Sequence, residues 1–201
     1  MMPNIVRLLP FALFLATSTA SAQEAYISQV GDKNVAAGVS FGSGNRQYAV
    51  QVGDENAGAL ITDGQTNTSA LIQDGLRNIG VAVVAGKSNT SNIIQLGADN
   101  EAIFSVSGNR NSVSALQMGY DHKAAVELNG NDTDVMIEQY GRGREVDLTI
   151  SDQMITSQNP ADATSGYSSG RFKVGVVQGA LDAPVVASIT RTTNGTLVIQ
   201  P

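Results

Sequence analysis

The sequence predicts an all-β fold: a β-solenoid with two strands per 22-residue rung, about six rungs, and a small C-terminal β tail. Three observations carry that expectation. Glycine stands every eleven residues, at Gly31, Gly42, Gly53, Gly64, Gly75, Gly86, Gly97, Gly108, Gly119, Gly130 and Gly141. Glutamine precedes every second glycine by two, at Gln29, Gln51, Gln73, Gln95, Gln117 and Gln139, so the full unit is 22 residues made of two similar halves. Between these marks the residues alternate with a period of two, the signature of strands.

The chain opens with Arg7, an apolar run over Leu8–Ala16 and small residues ending in Ala20-Ser21-Ala22. That pattern predicts a secretory signal peptide over 1–22, cut after Ala22. The run is too short to span a bilayer, and no later segment approaches the length needed, so no transmembrane segment is expected in the mature chain. Removing the leader with its one arginine leaves 11 Lys+Arg against 18 Asp+Glu, a net charge of −7. Such an excess argues against nucleic acid as a partner. Cysteine and tryptophan are absent. An exported chain without disulfides and with few aromatics must rest on many repeated small contacts and on backbone pairing.

Residues 23–150 form the predicted solenoid. Three residues beyond each of the first eight glycines comes an asparagine: Asn34, Asn45, Asn56, Asn67, Asn78, Asn89, Asn100 and Asn111. Glycine and asparagine both tolerate positive φ, so each Gly-x-x-Asn is expected to turn the chain. Counting from the asparagine, positions +2, +4 and +6 should face inward. The +4 series runs from Gly38, Ala49, Leu60 and Leu71 to Ile137 and Leu148, and the +2 series is small except for Gln47. Odd positions such as Tyr48, Val50, Ile61 and Ile72 should face out. Each strand then lies on its equivalent one rung away, at roughly 4.8 Å. An inward glutamine in such a stack bonds to its own kind above and below, while an unpaired one would cost roughly 1–3 kcal/mol. The six glutamines and eight asparagines are therefore the candidate ladder and polymerisation residues, with the eleven glycines at the turns.

Toward the end the pattern decays: the asparagine column becomes His122, Thr133 and Arg144, and charge accumulates. Residues 151–170 are rich in Ser, Asn, Pro, Asp and Gly and are expected to be a linker. Residues 171–201 hold strand-like runs over Arg171–Gln178, Val185–Thr192 and Thr196–Gln200, the last two flanking a Thr193-Asn194-Gly195 hairpin signal. Thirty residues make too small a core to stand alone, so this β tail should dock on the solenoid end, as a cap or as an accessory segment.

The string Ala25-x-Ile27-x-Gln29-x-Gly31-x-x-Asn34-x-Ala36 resembles the repeat of the curlin family, the subunits of curli amyloid fibres. It recurs at Gln51-Val-Gly53-Asp-Glu-Asn56, Gln73-Asp-Gly75-Leu-Arg-Asn78 and Gln95-Leu-Gly97-Ala-Asp-Asn100. The resemblance implies a secreted structural subunit of extracellular, cell-surface fibres serving adhesion and biofilm matrix. Its implied partners are itself and other curlin subunits, together with curli export and chaperone machinery. A last repeat that loses asparagine and gains Lys123, Arg142 and Arg144 is more like the minor, nucleating type, which makes those three the candidate anchoring residues. The second half-repeats lack the expected glutamine, and the tail matches no repeat, so major and minor roles both stay open.

No catalytic constellation, cofactor site or metal site is expected. The turn carboxylates Asp32, Asp54, Glu55, Asp63, Asp74, Asp99 and Asp121 lack the spacing of a calcium-binding roll and suit solvated charges that oppose premature aggregation. His122 is the single histidine, with no placed nucleophile or second ligand. The competing expectation is a monomeric secreted β-solenoid binding module for glycan or a surface.

Overall fold

The computed structural model describes residues 11–17, 23–153, 172–179, 184–192 and 197–200. Every regular element among them is a strand. The strands are β1 (Phe11–Thr17), β2 (Glu24–Val30), β3 (Val35–Ser43), β4 (Arg46–Asp54), β5 (Ala57–Gln65), β6 (Thr68–Leu76), β7 (Ile79–Lys87) and β8 (Thr90–Ala98), then β9 (Glu101–Asn109), β10 (Ser112–Tyr120), β11 (Lys123–Asn131), β12 (Thr133–Arg142), β13 (Glu145–Gln153), β14 (Phe172–Gln178), β15 (Val185–Thr192) and β16 (Leu197–Gln200). The cleavage position after Ala22, most of the linker and the Thr193-Asn194-Gly195 turn lie outside the described residues.

The coil alternates between two sheets. Sheet A has the order β1-β3-β5-β7-β9-β11-β13-β15-β16, and sheet B the order β14-β12-β10-β8-β6-β4-β2. From β2 to β13 all neighbours are parallel and in register at 22 residues, so Gln51 lies on Gln73 and Gly53 on Gly75. The β-solenoid expected from the eleven-residue period is the fold.

Facing side chains share the narrow interior unequally. In one rung Ala49 of sheet B faces the large Leu60 of sheet A; in the next, Leu71 of sheet B is matched by Ala82 of sheet A, and all four are buried. Leu71 also fills space that Gly58 and Gly80 leave open, since a Cβ on either would stand 2.4 Å from its methyl groups. Phe104 and Ile93 fill the middle. Small residues thus stand opposite large ones in these first rungs, while Ile93 with Phe104 and Ile137 with Leu148 put two large side chains in one rung. The expected outward residues Tyr48, Ile61 and Ile72 are exposed.

The turns are tighter than expected. From β3 on the strands of the repeat continue through the glycine, and most leave two residues between one strand and the next, such as Glu55 and Asn56. Positive φ falls on the glycine, at 97° to 132° from Gly31 to Gly119, and on the residue two beyond it, not on the asparagine. That second position holds Lys33, Glu55, Thr66, Arg77, Ser88, Asp99, Arg110, Asp121 and Asp132 at φ 52° to 60°, and Gly44 and Gly143 at 66° and 67°. A β-branched residue there is strained. Thr66→Gly should therefore stabilise the chain by about 0.5–1 kcal/mol. A rise in urea midpoint checks this; an unchanged or lower midpoint would refute it.

Beyond β13 the regular spacing stops but the coil does not. β14 lies parallel on β12, with Val174 opposite Val135 and Gln178 opposite Gln139. β15 lies parallel on β13. Phe172, Val174 and Val176 pack against the core. The tail thus adds a seventh rung to the six expected, and β16 then pairs antiparallel with β15. At the other end β1 pairs parallel with β3.

Candidate functional site

The buried amides form three columns. In the first, each glutamine Nε2 donates to the Oε1 of the next: Gln29 to Gln51 at 2.6 Å, Gln51 to Gln73 at 2.7 Å, Gln73 to Gln95 and Gln95 to Gln117 at 2.8 Å, Gln117 to Gln139 at 2.9 Å. The second amide hydrogen crosses to a backbone carbonyl at the start of the facing strand. Gln51 thus reaches Val35 O at 3.0 Å, Gln73 reaches Ala57 O at 3.1 Å, and Gln95 reaches Ile79 O at 2.8 Å. Both hydrogens and the oxygen are satisfied, as burial demands. The column runs one step further than the sequence pattern: Gln139 donates to Gln178 Oε1 at 2.9 Å, and Gln178 to Glu145 O at 3.0 Å. Gln178 follows Gln139 by 39 residues, so the period missed it. The signal that could have found it is Val174-x-Val176-x-Gln178, which repeats Val135-x-Ile137-x-Gln139.

The asparagines make the other two columns, one along each line of turns. Each Oδ1 accepts the backbone N–H of the next, as from Asn56 to Asn34 at 3.0 Å and from Asn67 to Asn45 at 3.0 Å. Each Nδ2 donates to the glycine carbonyl of the next rung: Asn56 to Gly75 O at 3.0 Å, Asn78 to Gly97 O at 3.0 Å, Asn89 to Gly108 O at 2.7 Å. That carbonyl fills the place a Cβ would take on the glycine beneath it, 1.8–2.1 Å away from Gly31 to Gly119. Glycine and asparagine recur together because one leaves room for the oxygen that the other binds. Gln47, the exception in its series, is also buried, with Nε2 donating to Val39 O at 2.8 Å and Thr62 Oγ1 at 2.8 Å.

His122 is a substitute for asparagine. It is fully buried, and its backbone N–H donates to Asn100 Oδ1 at 3.2 Å. Its Nδ1 accepts the Arg144 N–H at 3.1 Å, as an Oδ1 would, and its Nε2–H donates to Met118 O at 3.3 Å, as an Nδ2 would. Only the neutral ring with the proton on Nε2 can do both. Burial pushes its pKa below the ordinary histidine value; Arg144 adds to this, while the Met118 and Gly141 carbonyls and Asp121 oppose it. The folded state therefore binds fewer protons than the unfolded one between the depressed value and about pH 6.5. Its contribution should be complete above about pH 6.5 and fall away as the pH drops through the folded-state value. His122→Asn should flatten this dependence, as read from urea midpoints across that range; an unchanged pH profile would refute the assignment.

The turns carry charge in pairs. Lys33 bonds Glu55 at 2.7 Å, Arg77 grips Asp99 through two bonds of 2.7 Å, and Arg142 meets Asp121 at 3.0 Å. The Arg77 guanidinium holds the Asp99 carboxyl below its usual range, and Glu55 raises Lys33. These pairs are exposed and stabilise little. Several of the turn carboxylates expected to be solvated are thus exposed and also partnered along the axis. Of the three candidate anchoring cations, Arg142 is so paired, Lys123 is exposed, and Arg144 is half-buried with its N–H on His122.

The curlin associated repeat family model matches residues 108–141, which span β10, β11 and most of β12 with Gln117, His122 and Gln139. No curated protein and no solved structure matches the chain.

Proposed function

We propose that the chain is a curlin-type structural subunit, not an enzyme, that enters or nucleates an extracellular amyloid fibre serving adhesion and biofilm matrix. It is exported after loss of residues 1–22, with curli export and chaperone machinery and other curlin subunits as partners. The observation that carries this reading is the unbroken in-register glutamine column. Each rung is bonded to the next as separate chains are in a cross-β fibre. Among the described residues nothing donates to Gln29 Oε1, so the column starts with an open acceptor. The glutamine and asparagine columns are the surfaces on which another chain would continue the stack.

One observation favours the nucleating role. At the C-terminal end β16 adds a strand to sheet A beyond the rung of β14 and β15, with no counterpart in sheet B among the described residues. A chain stacked there would be out of step in one sheet by a strand spacing, about 4.8 Å. Growth then proceeds from the N-terminal end, with the tail as a cap and Lys123, Arg142 and Arg144 on the side that faces the cell. The test is a thioflavin-T time course on freshly desalted 23–201, alone and as seed for a major curlin. Rapid assembly with seeding supports the reading. A lasting monomer with β circular dichroism and no seeding would replace it with a monomeric binding module.

A further inference from the structure

Tyr26 and Tyr48 stand opposite each other on the outer face of sheet B, one on β2 and one on β4. The 22-residue register puts them there. The same column continues as Ala70, Asn92, Ser114 and Met136, so aromatic rings meet only in the first two rungs. Their ring centroids lie 5.8 Å apart with the planes tilted by 38°, the geometry of a tilted aromatic contact. It is the only ring contact among the described residues. Both rings are open to solvent, 51 % and 40 % exposed.

A carboxylate completes the cluster. Tyr48 O–H donates to Glu24 Oε1 at 3.1 Å, and Arg46 Nε lies 3.6 Å from the other oxygen of Glu24. The bond to Glu24 raises the Tyr48 pKa above the usual phenol value, so at neutral pH the phenol keeps its proton and aims it at a base. Tyr140 has the same kind of bond, to Glu138 Oε2 at 3.0 Å, but in the register it stands opposite Met118, while Tyr120 stands opposite Arg142. Tyr48 thus has both a base and a ring partner, and Tyr140 has the base alone.

We propose that Tyr26 and Tyr48 are an oxidative modification site, joined as a dityrosine by hydrogen peroxide and a haem peroxidase, with Glu24 taking the Tyr48 proton. A phenol gives up its electron more easily when a placed base accepts the proton at the same time. Each phenol loses one electron and its O–H proton. The two phenoxyl radicals form one carbon–carbon bond between positions ortho to their oxygens. The two ring hydrogens at those carbons leave as protons, and both oxygens are protonated again. One peroxide takes up the two electrons and two protons and becomes two waters. The new bond staples β2 to β4 and closes a loop of 22 residues over the outermost rung of sheet B. This site goes beyond the fibre reading and does not rest on it.

The test treats freshly desalted 23–201 with hydrogen peroxide and a small haem peptide, a peroxidase that also works in urea, and maps the cross-linked peptides by mass spectrometry. The internal reference is Tyr120 with Tyr140, since separations of 22 and 20 residues close with nearly equal ease in an unfolded chain. In urea the two cross-links should form at similar rates. In the folded chain Tyr26–Tyr48 should lead several-fold, because the rings are already in contact. In an equal mixture of ordinary and isotope-labelled chains, both halves of that product should come from one chain. Glu24→Gln should slow it several-fold in the folded chain and leave the Tyr120–Tyr140 rate as it was. The stapled chain should unfold at a higher urea midpoint than the untreated one. A ratio that is the same folded and unfolded overturns the proposal. So does a product that joins different chains, a Glu24→Gln rate equal to the parent's, or an unchanged midpoint.

Discussion

Gly75→Ala should cost about 3 kcal/mol or more and break the coil in its middle. Gly75 has φ +131°, and its added Cβ would lie 1.9 Å from Gly97 O and 2.8 Å from the Gly97 carbonyl carbon. Neither atom can swing aside as a side chain would, since both belong to the paired strand β8. Moving Gly97 O away would also strain its bond from Asn78 Nδ2, now 3.0 Å. Backbone strain of about 1–3 kcal/mol and a weakened buried hydrogen bond of about 1 kcal/mol therefore add at one place. Gly143→Ala is the control: φ is +67°, and nothing lies within 4 Å of the added Cβ. That change should cost about 1 kcal/mol, the left-handed conformation alone. Urea titrations of freshly desalted chains compare the two, and equal midpoints would contradict the close packing of the glycine column.

Gln73→Leu is nearly isosteric and should cost about 3 kcal/mol. The leucine leaves Gln51 Nε2 without its 2.7 Å acceptor, Gln95 Oε1 without its 2.8 Å donor, and Ala57 O without its 3.1 Å donor. Each orphaned buried group costs about 1–3 kcal/mol, and the added apolar burial recovers only part of the sum. Gln29→Leu should behave oppositely. Gln29 is half-buried and bonds one glutamine neighbour, Gln51, so folding loses about 1 kcal/mol. Its loss should instead lengthen the thioflavin-T lag more than Gln73→Leu does, because in the proposed fibre the end rung meets the incoming chain. An equal or shorter lag for Gln29→Leu than for Gln73→Leu would count against growth from that end.

The sequence made legible whatever repeats. Inward and outward faces, the glutamine column and the parallel register follow from the eleven- and 22-residue periods, because a one-residue slip would turn every side chain to the wrong face. What does not repeat stayed hidden. Gln178 joins its column 39 residues after Gln139, a step that the 22-residue period does not contain. The left-handed residue before each asparagine was obscured because Lys, Glu, Thr, Arg, Ser and Asp all occupy it. There the stack imposes the backbone conformation rather than the residue choosing it. His122, by contrast, stands in the asparagine column by its spacing alone, and it serves there because imidazole offers one acceptor and one donor with nearly the same reach. The pairing of β1 depends on an unfilled edge, a property of the assembled sheet and not of residues 11–17.

The glutamine column has an electrical consequence. From Gln29 to Gln178 every amide places its oxygen toward the N-terminal end and its NH2 toward the C-terminal end. The amide dipoles therefore add along the axis, much as peptide dipoles add along a helix, and each bond polarises the next. The first oxygen of the row is a better acceptor than an isolated glutamine would offer, and it improves as the row lengthens. In the fibre proposed above, an uncapped curlin-type chain that joined in the same direction would extend the array, and the stack would gain attraction for the next donor with every rung.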